Sequence, residues 1–175
     1  MAQSEKNEPR PRVDPIEGKK LFDELRQQAL NQTSKAPSLS VKSETEPYGF
    51  VMDMEIGGGI ATVVAFNDGN ASIYLSSGGG WIGGSGVDGV KKAAEHLFVV
   101  APKFQPLAKL TKEFPLPKDG ETIFHLLTDS GVFTLSAPTN DLGEQRHRWS
   151  PLFNAAQDII TQFQLNDEKT RRRKK

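Results

Sequence analysis

The 175-residue chain contains no cysteine, and that absence alone removes disulfides, thiolate metal sites and cysteine nucleophiles from consideration. Long apolar runs are missing too. The longest, Ile60 to Phe66, contains Thr62 and is far too short to span a bilayer. The amino terminus, Met1-Ala2-Gln3-Ser4-Glu5-Lys6, lacks the apolar core of a secretory signal, so a cytoplasmic protein is expected. Net charge is also lacking, but the formal zero hides a segregation. Residues 1–45 carry eight Lys/Arg against seven Asp/Glu, residues 46–165 eight against thirteen, and residues 166–175 six against two. An acidic body therefore ends in a basic tail.

What is present is enough for one domain. Hydrophobic residues at 36% and charged residues at 25% describe a globular chain on the polar side, with part of its length expected to stay unfolded. Residues 1–12 are charged and have little to bury, so they are expected to be disordered. Residues 13–31 read as an amphipathic helix. Asp14 caps it, Pro15 occupies the first turn where its missing N–H costs nothing, Glu17 completes a capping box, and Ile16, Leu21, Phe22, Leu25 and Ala29 form its apolar stripe. Residues 32–46 have the Ser, Thr, Lys, Pro and Glu content of a flexible connector.

Residues 47–165 read as a single α+β domain. Tyr48 to Glu55 alternates large apolar with smaller or acidic residues, Ile60 to Phe66 is β-branched and nearly all apolar, and Ala71 to Ser76 follows an Asp68-Gly69 turn. These three strands make a meander. Val90, Ala93, Ala94, Leu97, Phe98 and Ala101 share one side of a helix, which Pro102 ends or kinks. A second hairpin joins Thr122–Thr128 to Val132–Ala137 through Asp129-Ser130-Gly131, and a last helix opens at Ser150-Pro151 with Leu152, Ala155, Ala156, Ile159 and Phe163 on its buried side. The expectation is a five-stranded antiparallel sheet with helices packed on one face, in the order α-β-β-β-α-β-β-α, followed by a disordered tail from residue 166.

Eleven glycines fall between residues 57 and 89, most densely in Gly78-Gly79-Gly80-Trp81-Ile82-Gly83-Gly84-Ser85-Gly86-Val87-Asp88-Gly89. Gly78 to Gly83 and Gly84 to Gly89 each match the dinucleotide spacing G-x-G-x-x-G, but they follow the third strand of a meander rather than the first strand of a parallel unit. The segment therefore has two readings. Gly79, Gly80, Gly83, Gly84, Ser85 and Gly86 form a backbone cradle for an anion or nucleotide, or the glycines permit a close crossover. Trp81 and Ile82 either fold over the domain's own core or, with Leu21, Phe22 and Leu25, present an apolar contact surface to a protein partner or a second copy in a homodimer.

Other candidates are weaker. None of His96, His125 and His147 has a second ligand at metal-binding spacing, and His125, mid-strand, reads as a buried structural histidine. Asp53 and Glu55 share a strand face, which reads as a solvated pair. Ser85 lacks the nucleophile-elbow spacing because position 87 is Val. No catalytic residue, metal or cofactor is assigned. Lys169, Arg171, Arg172, Arg173, Lys174 and Lys175 offer phosphate contacts to nucleic acid or an anionic membrane, without interleaved aromatics for base stacking, or else form a solubilising end that contacts the acidic domain.

The element order and acidic body resemble the type III secretion chaperones, small homodimers that hold an extended client segment. The resemblance covers Asp14 to Leu165 at the level of topology and implies a chaperone-like or adaptor role. Tyr48-Gly49-Phe50-Val51-Met52-Asp53, Gly78-Gly79-Gly80-Trp81-Ile82-Gly83-Gly84 and Phe114-Pro115-Leu116-Pro117 with Leu142-Gly143-Glu144 also look like an uncharacterised bacterial protein family with no assigned activity.

Overall fold

A computed structural model describes residues 15–174. The expected disorder of residues 1–12, the Asp14 cap and Lys175 lie outside the described residues. The described chain is α+β, built on an antiparallel sheet. Strands β1 (Gly49–Ile56), β2 (Gly59–Phe66) and β3 (Ala71–Leu75) form the meander, and β6 (Glu121–Thr128) with β7 (Gly131–Pro138) forms the second hairpin. The hairpin docks through β6 on β1, with Met52 opposite Phe124 and Asp53 opposite Ile123.

The sheet has seven strands rather than five; with β4 (Gly80–Trp81) and β5 (Lys109–Thr111) added, the order is β4-β3-β2-β1-β6-β7-β5. The additional strands are edge pieces, β4 beside β3 and β5 beside β7. Two and three residues are too few for alternation to register, and β4 sits inside the glycine segment that reads as a loop. The element order departs from expectation for the same reason, and because a short helix α3 (Thr139–Gly143) precedes the last one.

Helices α2 (Asp88–Val100) and α4 (Ser150–Arg173) pack on one face of the sheet. Alternation puts Phe50, Met52 and Met54 of β1 on that side, with Val63, Ala65, Ile73, Phe124, Leu126 and Leu135 from neighbouring strands, against Ala94 and Leu97 of α2 and Leu152, Ala156 and Ile159 of α4. Residue 166 does not begin a disordered tail: α4 runs on to Arg173.

The helices are not confined to one face. Helix α1 (Pro15–Leu30) covers the other side, where Ala29 and Leu30 join Tyr48, Val51, Val64 and Leu127. The reason lies in the central strands. β1 and β6 are buried along nearly their whole length on both sides, so a second cover is required, and the small or acidic residues alternating with Phe50 and Met52 face it. Residues 32–46, read as a flexible connector, are a strap fastened to the same face. Leu39 and Val41 pack there, the Tyr48 hydroxyl donates to the Gln32 carbonyl at 2.7 Å, and the Ser130 N–H donates to the Glu44 carbonyl at 2.9 Å.

Candidate functional site

The residues singled out in α1 and in the glycine segment converge on one groove. Helical spacing turns Phe22, Arg26, Ala29 and Leu30 into the sheet and leaves Leu21 and Leu25 along the helix flank. Facing that flank is the β3–β4 hairpin, closed by Leu75 N–H to the Gly79 carbonyl at 3.1 Å. Gly80 has φ of +141°, and a Cβ there would stand 2.0 Å from the Ile73 carbonyl oxygen. Only glycine lets the short strand approach β3 this closely. Between helix and hairpin lies a hollow of about 180 Å³ lined by Leu21, Phe22, Leu25, Tyr74, Leu75 and Ile82, with Gly79 and Gly80 in its wall. A second hollow of about 250 Å³ continues along α1 past Gln28 and Gln32 and shares Leu25, Tyr74 and Ile82 with the first. Gly83 borders it, and so does Asn70, whose buried Oδ1 has no hydrogen-bond partner among the described residues. Burial pushes the hydroxyl of Tyr74 to a higher pKa than usual, against a smaller opposing hydrogen bond with Ser72. Ile82 stands over the groove 72% exposed, and Leu21 is half exposed.

Phe22, in the wall of the hollow, is otherwise buried against the sheet. Other candidates in these segments face elsewhere. Trp81 turns to the opposite side, stacks on Phe163 of α4 with ring centroids 6.0 Å apart, and donates its indole N–H to Asp167 at 3.0 Å. Gly84, Ser85 and Gly86 form a single 3-10 turn before α2. Gly84 is buried, and a Cβ on it would stand 2.4 Å from Val90 Cγ1 and 2.7 Å from the Phe163 ring, so its glycine serves close packing of α2 and α4. Asp88 occupies the first turn of α2 and places a carboxylate where an anion would meet the helix dipole. Lys169, Arg171, Arg172, Arg173 and Lys174 are exposed on the last turns of α4.

A second constellation lies beneath α1. Asp53 is fully buried, which overturns its reading as half of a solvated pair. Arg26, itself 4% exposed, clamps both carboxylate oxygens, with Nε at 3.1 and 3.0 Å and Nη2 at 2.7 Å. Thr62 donates to Oδ1 at 2.6 Å. His125 Nε2 stands 3.4 Å from Oδ2, near enough for electrostatic attraction but without hydrogen-bond alignment, while Nδ1 pairs with Thr134 Oγ1 at 3.1 Å. The Phe114 ring covers His125 edge-on, and Arg26 Nη2 also reaches the Phe114 carbonyl at 3.1 Å. Desolvation, the largest single influence, pushes the Asp53 carboxyl up; the contacts from His125, Arg26 and Thr62 together outweigh it and hold the group below the usual carboxylate range.

Glu55 does not join this cluster. It accepts backbone N–H groups from Gly58 and Gly120, which lower its pKa, and it tethers two turns. Sequence reasoning passed over Arg26 because arginine is ordinarily a surface residue. The available signal was a central carboxylate, Asp53, between two buried methionines in a strand too apolar to leave one face in water.

The chain matches no protein-family model, no curated protein and no solved structure closely enough to be called related. Among the described residues no helix is long and apolar enough to cross a membrane, and no group of three His, Asp or Glu side chains is placed to hold a metal ion.

Proposed function

We propose that this protein is a non-enzymatic interaction domain that self-associates through the groove between α1 and the β3–β4 hairpin. The observation that carries the reading is the placement of a projection beside a hollow. Ile82 is 72% exposed at the lip of an apolar hollow lined by Leu21, Leu25, Tyr74 and Leu75. A two-fold axis through such a patch seats each Ile82 in the other copy's hollow, the self-complementary arrangement that an isologous dimer requires. The glycines on both sides of Trp81-Ile82 support this reading, because they leave no side chains to obstruct a second chain. The rim glutamines, Gln28 and Gln32, offer hydrogen bonds around the apolar centre, as protein interfaces commonly do.

The test is sedimentation equilibrium of the full chain across micromolar concentrations. The wild type is expected to form a dimer, and Ile82→Asp and Leu21→Asp are each expected to sediment as folded monomers. A wild type that stays monomeric throughout, or an Ile82→Asp variant that dimerises as before, overturns the proposal.

A further inference from the structure

A wide cleft lies at the other end of the sheet, away from the groove. It measures about 550 Å³ and opens between β5, the outer edge of β7 and the loop leading into α4. Its lining includes Lys109, His147 and Arg148, and no carboxylate. That is a pointed departure from the body as a whole, where residues 46–165 hold thirteen acidic against eight basic side chains. We propose that this cleft binds a small organic anion, a phosphate or carboxylate head carried on a flat or apolar body.

The chemistry of the walls favours such a ligand. The Arg148 guanidinium lies 4.2 Å over the Trp149 ring, which holds a rotamer-rich side chain ready to meet an anionic head. The Trp149 backbone N–H donates to His147 Nδ1 at 3.2 Å, so in the neutral imidazole the proton sits on Nε2 and is free to donate. Lys109, exposed at the start of β5, adds a mobile point charge. The neighbouring edge supplies more polar atoms. β5 pairs only with Val132 to Thr134, so Leu135 and Ser136, which line the cleft and pair with β6 on their inner side, have no strand along their outer edge among the described residues. Leu107 and Leu110, 52% and 59% exposed, give the apolar body of the ligand its seat. A volume of this size fits a ligand of drug or nucleotide dimensions. Two of the basic groups, His147 and Arg148, are held by a loop that is itself tied down: Ser150 N–H donates to the His147 carbonyl at 2.9 Å, and buried Trp149 meets Phe104 edge-on.

The experiment uses the full chain and three probes at low ionic strength: phenyl phosphate, phenylacetate and inorganic phosphate. The chain has two tryptophans, so Trp81→Phe leaves Trp149 as the sole indole, and its emission reports on the cleft. An aryl anion is expected to change that emission saturably and to bind more tightly than inorganic phosphate. Its affinity should fall with added salt, because the binding charges are solvent-accessible. Comparing the phosphate with the carboxylate tells which head the site prefers. The double variant Lys109→Ala/Arg148→Ala is expected to bind at least about tenfold more weakly, as loss of charge-assisted hydrogen bonds implies. Arg171→Ser/Arg172→Ser/Arg173→Ser, which removes three of the competing cations at the end of α4, is expected to bind as tightly as wild type. Absence of binding by every probe at millimolar concentration overturns the proposal. So does undiminished affinity in the double variant, or affinity lost in the α4 variant.

Discussion

The two faces of the sheet are covered by different chemistry. On the side of α2 and α4 the contact is mainly apolar, with Phe50, Met52, Phe124 and Leu126 against Leu97, Leu152 and Ile159, and no buried ion pair among the described residues. On the side of α1 an apolar cluster of Val51, Val64 and Leu127 adjoins a buried ion pair, Arg26–Asp53, with Thr62 and His125 around it. An apolar face gains free energy from whatever fills it well. A buried carboxylate is less tolerant, because desolvation outweighs attraction unless its partner arrives in good geometry. The first face drives collapse, while the second admits α1 in one register, the one that brings a guanidinium to Asp53. The flank of α1 that carries Leu21 and Leu25 then remains open as the groove around Ile82.

Mutations sharpen the contrast. The largest effect is expected from Asp53→Ala, which strands Arg26 beneath its own helix and should cost about 3–5 kcal/mol in denaturant unfolding. Replacing both partners, Arg26→Met with Asp53→Leu, should restore most of that loss, as buried ion pairs exchanged for packed apolar groups often do. A double variant as unstable as the single one would break the distinction between an unpaired charge and a lost contact. On the opposite face, Leu126→Ala should cost about 2–5 kcal/mol through its cavity, with no partner substitution able to rescue it.

Overpacking comes next. Gly84→Ala places a methyl against Val90 and Phe163 and should destabilise by about 1–3 kcal/mol, read as a lowered denaturation midpoint at unchanged slope. Acid separates the faces by a different route. The Asp53 carboxyl is held below its ordinary value, so its share of stability is present above pH about 4, where the unfolded group ionises, and is lost as pH falls through the folded value. Stability measured from pH 6 down to pH 3 should fall less steeply in Asp53→Asn than in wild type. The smallest effect is expected at the groove: at concentrations low enough to keep the wild type monomeric, Ile82→Ser should leave stability within about 0.5 kcal/mol, since the residue is mostly solvated in the monomer.

The meander, the β6–β7 hairpin and helices α2 and α4 were legible from residue spacing alone. Alternation places Phe50, Met52 and Met54 on one side of β1, and the spacing of Val90, Ala94 and Leu97 gives α2 one dry flank. Those signals are local, and a period of two or 3.6 can be counted within a dozen residues. The convergence of Leu21, Leu25 and Ile82 was legible only as a set of apolar residues lacking cover, not as one groove.

The sequence by itself determined which segments become strands or helices and which side of each is apolar, because those properties depend on neighbours a few positions away. Only the tertiary structure decided that Arg26 and Asp53, 27 residues apart, meet in the interior, that β4 and β5 extend the sheet, and that both faces are covered. Burial of a charge, closure of an edge and the shape of a groove depend on groups distant in the chain, and no local period encodes which of them will come together.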